Sequence, residues 1–388
     1  MRVALIYDCL YPNTVGGAER WYRELGERLS KTHRLTYLTR RQWGIEGPRT
    51  PFETLAVSPG GDLYAASGRR RIGPPLRFGW GVFWHLLRHA HRYDAVHTAS
   101  FPYFSVLGAA LALRLRRSPA ILLVDWHELW DRAYWRGYLG PVGGRIGLAV
   151  QSLCLRLPDH SFTFSRLVER RLLDSAATAP VTRLTGEYAG TPAEDVASAV
   201  DRGGPSVVFA GRHIEEKHVE AIAPAIAAAR RQIPELRCAI LGDGPETGRL
   251  REQVRELGLD GVVEIRGRVE SRDVSGAIAA AGCLLHPSER EGYGQVIVEA
   301  SALGTPAIVV AGPENAATEL ILPGVNGYVS TSRDADELGA LIVDTLRAGE
   351  GLRDSTRRWY VEHREELSLD HSLGVVVATY SSLLPAKP

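Results

Sequence analysis

Apolar positions along this chain recur with the period of a strand in some stretches and of a helix in others. The alternation falls into two blocks. Val3 to Tyr7 is a short apolar run, and beyond Asp8, Pro12 and the pair Gly16-Gly17 the residues Ala18, Trp21, Tyr22, Leu25 and Leu29 keep helical spacing. His33 to Arg40 alternates again, which predicts a strand, a glycine turn, a helix and a second strand. Residues 42 to 79 hold Pro51, Pro59, Pro74, Pro75 and the run Arg69-Arg70-Arg71, and read as loop-rich. Phe78 to Tyr93 predicts an amphipathic helix with a basic side made of Arg88, His89, His91 and Arg92. After it come a buried strand over Tyr93 to His97, a helix over Ser105 to Arg117, and a strand over Ile121 to Val124 that runs into Asp125-Trp126-His127-Glu128. Phe162 to Ser165 is one more short strand.

The second block starts with the strand Ser206 to Ala210, followed by Gly211-Arg212 and, five residues on, Lys217. Strands are predicted at Cys238 to Leu241 and Val262 to Ile265, with Gly267-Arg268 after the latter, and a small helix at Val274 to Ala281. Then come a short apolar run ending Leu284-Leu285-His286-Pro287, read as a strand, the loop Ser288-Glu-Arg-Glu291-Gly-Tyr-Gly294, a helix carrying Glu299, a stop at Gly304-Thr-Pro306, and the strand Ala307 to Val310. A further helix is expected from Pro313 to Glu319, and a last one from Asp370 to Leu384 with Leu373, Val376, Val377 and Tyr380 on one face. The division expected is residues 1–190, a small polar linker at 191–205, a second domain at 206–365, and a final helical segment at 366–388.

Length agrees with two α/β domains, since 388 residues exceed one ordinary core. No apolar run approaches the roughly 20 residues that span a bilayer. Four scattered cysteines, without Cys-x-x-Cys spacing, indicate neither a zinc site nor a disulfide framework and fit a reducing, cytoplasmic compartment. The net charge of +1 conceals a split. Up to Gly190 there are 26 Lys+Arg against 15 Asp+Glu, and beyond it 20 against 30. Seven of the eight tryptophans also lie in the basic half. Such a half suits an anionic membrane surface or an acidic acceptor, the asymmetry equally suits attraction between the two domains, and no nucleic-acid partner is expected.

Candidate chemistry gathers at the loop 288–294. Amides of Gly292, Tyr293 and Gly294 at a helix N-terminus make an anion site, and ionised Glu291 and Glu299 accept hydrogen bonds from paired hydroxyls. Arg212 and Lys217 supply a bidentate clamp and a point charge for a diphosphate. Only three lysines occur in the chain, which gives the position of Lys217 weight. The Glu-x7-Glu pair enclosing Gly-Tyr-Gly, with Ser288 ahead and Glu299-Ala-Ser-Ala-Leu-Gly-Thr-Pro behind, resembles the donor-site signature of family 4 glycosyltransferases. That resemblance implies the α/β GT-B fold, two Rossmann-like domains facing across a cleft with the final helix crossing back to the first.

It also implies a retaining glycosyltransferase using a nucleotide-diphosphate sugar. In that reading Gly16 and Gly17 face the donor's diphosphate and sugar, and His127 touches the sugar. Gly211, Arg212 and Lys217 bind the phosphates, the backbone around Arg268 reads the base, Glu291 holds the transferred sugar and Glu299 the ribose. Here Glu128 replaces the Asp usual after the histidine, and Leu184-Thr-Gly-Glu187-Tyr replaces an Asn-Gly-Val-Asp turn. Cations and a helix dipole take the place of a metal, so no cofactor is required. The acceptor is left open between a lipid-linked glycan and a small-molecule natural product. An epimerase or phosphorylase of the same fold, or a non-catalytic nucleotide-sugar sensor, are the other readings. A two-carboxylate glycosidase fits poorly, because these glutamates address different parts of one ligand.

Overall fold

The computed structural model describes residues 1–14, 16–63, 71–190 and 203–384. Most of the expected linker, residues 191–202, lies outside them, as do Arg69 and Arg70. The chain divides into two compact units. One runs from Met1 to Glu187 and takes in the end of the chain from Ser368; the other runs from Tyr188 to Leu367.

In the first unit the strands are β1 (Arg2–Ile6), β2 (Arg34–Arg40), β3 (Glu53–Ser58), β4 (Ala95–Ala99), β5 (Ile121–Trp126), β6 (His160–Thr163) and β7 (Val181–Arg183). They form one parallel sheet in the order β3-β2-β1-β4-β5-β6-β7. The order reverses between β1 and β4, as in a doubly wound sheet. Its helices are α1 (Gly17–Leu29), α2 (Gly73–His89), α3 (Phe104–Leu115), α4 (Arg132–Cys154) and α5 (Arg166–Leu173). Strands β4 and β5 are buried at every position, which is why they read as apolar runs and not as alternation.

Strands β3 and β7 and helices α4 and α5 stand outside the sequence reading. Strand β3 lies within the stretch read as loop; it is an edge strand, mostly half-exposed, and offers no clean alternation. Helix α4 has five glycines and is broken at Gly140, whose φ is +76°, just before Pro141, so its apolar stripe is not continuous.

The second unit repeats the plan with β8 (Ser206–Ala210), β9 (Arg237–Leu241), β10 (Val263–Gly267), β11 (Cys283–His286), β12 (Arg290–Glu291), β13 (Ala307–Val310), β14 (Glu314–Asn315) and β15 (Gly327–Ser330). Six of these make a parallel sheet ordered β10-β9-β8-β11-β13-β15, with the reversal between β8 and β11, while β12 and β14 pair with each other. Helices α6 (Ile222–Arg230), α7 (Thr247–Glu256), α8 (Ser271–Ala280), α9 (Gln295–Ala302) and α10 (Ala335–His363) accompany it. The helix expected from Pro313 is instead β14 and a short 3₁₀ turn, Ala316–Leu320. A core of Val207, Phe209, Ile226, Ile240, Leu285 and Ile308 fills the space between sheet and helices.

Helix α11 (Leu369–Leu383) belongs to the first unit. It packs on α1, where Arg28 meets Asp370 at 2.5 Å. Ser372 Oγ accepts the Gly186 amide at 3.0 Å, and Tyr380 is fully buried. Among the described residues no helix is long and apolar enough to cross a membrane.

Candidate active site

Ligands of open parallel sheets sit beyond the carboxyl ends of the strands, where the strand order reverses. In the second unit that point lies between β8 and β11. Gly211 and Arg212 directly follow β8, and the 288–294 loop follows β11. Arg212 is exposed and Lys217 closes a short 3₁₀ turn, Glu215–Lys217. The Lys217 ammonium donates to Glu291 Oε1 in a short ion pair. His286, at the end of β11, donates from Nε2 to the same oxygen at 2.5 Å and lies 3.0 Å from Ser288 Oγ. Burial by itself would raise the Glu291 pKa; Lys217 and His286 outweigh it and hold the carboxyl far below the ordinary carboxylate range. Glu291 is therefore a permanently ionised acceptor.

The loop bearing it is tied on several sides. Asn315 Nδ2 donates to Ser288 O and Val310 O at 2.9 and 2.8 Å, and the buried pair Arg290–Glu314 spans β12 and β14 at 3.1 Å. The Glu289 amide bonds Glu216 O at 3.0 Å, while His218 bridges Glu220 and Glu289 at 2.7 Å each. These bonds bring the turn of Lys217 to the loop of Glu291. Gly294 caps α9 with φ +107°, and a Cβ there would sit 2.8 Å from Ala317 Cβ, so only glycine fits. Gly292 and buried Tyr293 precede it, and Glu299 lies a turn inside α9, half-buried. Arg268 is exposed just past β10; the Asp243 pKa is drawn down by hydrogen bonds from Thr247 and Gly244, with Arg268 adding to them. Asp334-Ala-Asp336 is an Asp-x-Asp triplet, and it caps α10: Asp334 accepts from the amides of Asp336 and Glu337 at 2.9 and 3.1 Å.

In the first unit, Gly16 caps α1 in extended conformation with the Glu19 carboxylate folded over it, and Gly17 opens the helix. His127 follows β5 directly. Its ring stacks on Phe164 at 4.3 Å between centroids and 2° between planes, and Nδ1 lies 3.6 Å from Glu187. Burial would lower its pKa, but Glu187, then Asp125 and Glu128, raise it above the ordinary 6.5. Nε2 is buried with no hydrogen-bond partner among the described residues. Glu128 accepts from Trp130 Nε1 at 2.8 Å.

Beneath His127 lies a network the sequence did not reveal. Buried Asp125 accepts from Trp21 Nε1 (3.0 Å), Tyr22 OH (2.8 Å) and His97 Nε2 (2.6 Å), and His97 Nδ1 meets Tyr380 OH at 2.6 Å. Sequence reasoning also missed His286 and Asn315, although His286 ends a predicted strand, which is itself a signal. Glu187, which in the sequence is only a departure from a family turn, is the partner of His127. Among the described residues no three His, Cys, Asp or Glu side chains are grouped to hold a metal ion.

Each half of the chain matches one family profile: "Glycosyltransferase Family 4" over residues 15–184 and "Glycosyl transferases group 1" over residues 191–360. The chain belongs to glycosyltransferase family 4. Similar proteins include the GDP-mannose-dependent alpha-(1-6)-phosphatidylinositol monomannoside mannosyltransferase of Mycolicibacterium smegmatis, 31% identical over 41% of this chain and 44% of that protein. A GDP-mannose-dependent alpha-mannosyltransferase of Corynebacterium glutamicum is 26% identical over 68% of this chain and 64% of its own. The UDP-N-acetylglucosamine–peptide N-acetylglucosaminyltransferase GtfA subunit of Streptococcus gordonii is 32% identical over 37% of this chain and 28% of its own. The chain thus spans less than two thirds of the length of each.

Among solved structures, sucrose-phosphate synthase from Thermosynechococcus elongatus superposes with a TM-score of 0.81 at 20% identity, covering 98% of both chains. Anabaena Alr3699/HepE in complex with UDP gives 0.76 at 17% identity, covering 98% of this chain and all of the other. At such identities the likeness concerns the fold, and this family 4 chain has the GT-B fold of two doubly wound α/β units.

Proposed function

We propose that this chain is a retaining glycosyltransferase, moving a sugar from a nucleotide-diphosphate donor to an acceptor hydroxyl. The observation that carries the reading lies at the β8/β11 reversal, where Lys217 and His286 hold the Glu291 carboxylate on the loop before α9, and where Arg212 directly follows β8. As the glycosidic bond breaks, negative charge grows on the leaving diphosphate. Arg212 offers a planar fork to it, and Lys217 a point charge with donors beyond the one given to Glu291. Neutralising Glu291 with Lys217 and His286 lets a carboxylate stand beside an anionic donor without repelling it, while its second oxygen accepts sugar hydroxyls. Glu299 is assigned to the ribose, Gly292 to Gly294 to the phosphates, and Arg268 to the base.

In the first unit Gly16, Gly17 and His127 are assigned to the donor side of the chemistry. Relatives named for GDP-mannose and for a phosphatidylinositol mannoside favour a lipid-linked glycan acceptor in envelope glycan or glycolipid assembly, on the cytoplasmic side. The reading needs no cofactor beyond the donor sugar nucleotide.

Thermal shift with UDP- and GDP-sugars tests the donor. A ligand at 100 times its dissociation constant adds about 2.7 kcal/mol to the native state. Arg212→Ala should abolish the shift and lower donor turnover by roughly 10²-fold, the loss expected of one stabilising donor, with an unchanged unliganded melt. If no nucleotide sugar shifts the melt and none is consumed with any acceptor, the assignment fails.

A further inference from the structure

Between the turn that carries Lys217 and the next short 3₁₀ turn, Val219–Ala221, stands His218, at φ +47° and ψ +46°. Left-handed backbone is uncommon for a residue other than glycine. A side chain held there points to a constraint from its surroundings. The constraint is a pair of carboxylates. His218 Nδ1 lies 2.7 Å from Glu220 Oε1, two residues on, and Nε2 lies 2.7 Å from Glu289 Oε2, on the loop that carries Glu291. Only 17% of the side chain is exposed. From other elements Arg333, just ahead of α10, faces the same group at 3.8 Å from Glu289, while Arg249 of α7 and Arg290 act on Glu220 and Glu289 from further off.

Counting protons fixes the state of the ring. An ionised carboxylate only accepts hydrogen bonds, and a neutral imidazole has a single N–H to give. Two such contacts at once therefore require both nitrogens to donate, which only the imidazolium does. In keeping with this, Glu220 and then Glu289 raise the His218 pKa above the ordinary 6.5, against burial and Arg333. Loss of the proton would leave one N–H for two carboxylates. The contact to Glu220 closes a loop of two residues and is the easier to keep. Glu289 is 54% exposed and has Arg333 as a second cation, so the bond given up is the one that joins the two segments. That bond stands beside the Glu289 amide bond to Glu216 O and the Lys217–Glu291 ion pair, and the three together seat the lysine turn on the loop. We propose that charged His218 is a positioning residue, a clasp that holds Lys217 against the Glu291 loop, and that donor affinity falls as rising pH opens it. Its effect on binding rests on the donor-site reading above; the clasp itself does not. The clasp is complete below pH 6.5 and is lost as pH rises through the folded value.

The test follows the full chain from about pH 6 to about pH 8.5, the range in which a histidine changes charge. NMR should give the His218 imidazole a midpoint above 6.5. Across that midpoint the hydrogen-exchange protection factor of the Glu289 amide should drop, and the Kd for UDP-glucose or GDP-mannose should rise, each by roughly fivefold or more, the low end of ordinary coupling between sites. His218→Gln should show the weaker, high-pH affinity at every pH. His218→Arg, permanently charged and with several donors, should keep tight binding at the pH where the unaltered chain loses it. Glu289→Gln changes only an exposed carboxylate and serves if those variants do not fold; it should lower the His218 midpoint and the protection of the 288–291 amides. A midpoint at or below 6.5, protection that ignores the midpoint, a measurable affinity that ignores it, or an unaltered pH profile in His218→Gln would overturn the proposal. Failure of both nucleotide sugars to bind at any pH would instead remove the donor reading, and the exchange profile would still decide the clasp.

Discussion

Lys217 and Glu291 show how much one ion pair carries. Lys217→Ala leaves a buried carboxylate with His286 as its remaining partner, so the chain should lose roughly 3 kcal/mol of stability, the low end for a broken buried pair, as read from denaturant midpoints. Lys217→Ala/Glu291→Gln should recover part of that loss without recovering turnover, and strict additivity of the two changes would count against coupling. His127 makes the pH prediction. Because its folded pKa is raised, its contribution to stability is complete below the ordinary value of 6.5 and disappears as pH rises through the folded value. Glu187→Gln removes the nearest source of that rise, so the imidazole should titrate at lower pH in an NMR titration. An unmoved midpoint would remove Glu187 from this role. Glu291, held far lower, is ionised throughout that window and contributes no inflection to it.

At the scale of elements, Gly294 decides the direction of α9. Gly294→Ala forces a side chain into a left-handed position against Ala317 and should cost about 1–3 kcal/mol, with weaker thermal protection by nucleotide sugars; a variant matching wild type in both would show that the loop can be re-formed another way. The same scale explains what the sequence made legible. The second unit was readable because its strands are apolar and its chemistry follows one of them within a few residues, from His286 to Glu299. Strand β3 was not, since an edge strand with half-exposed sides has no period to detect. Helix α4 was not, because Gly140-Pro141 breaks its stripe. Asp125 was hidden for another reason: its role depends on Trp21, Tyr22 and His97, far from it along the chain, which spacing does not encode.

For the whole molecule, the clearest feature is that the first unit is closed by the chain's last helix. Removing residues 368–388 takes away Tyr380 and Asp370, and hydrogen exchange should then speed up across β1, β4 and β5 while β8 to β15 stay protected. Uniform loss across both sheets would mean that the units do not melt separately.

That arrangement sets a schedule for biosynthesis. His97 and its hydroxyl partner Tyr380 are 283 residues apart, so at about 5–20 residues per second the imidazole emerges from the ribosome roughly 15–60 s before the hydroxyl. The sheet of the first unit is thus made before the second unit and completed after it. A chain ending before Leu369 would hold every strand of that sheet and no latch to shut it.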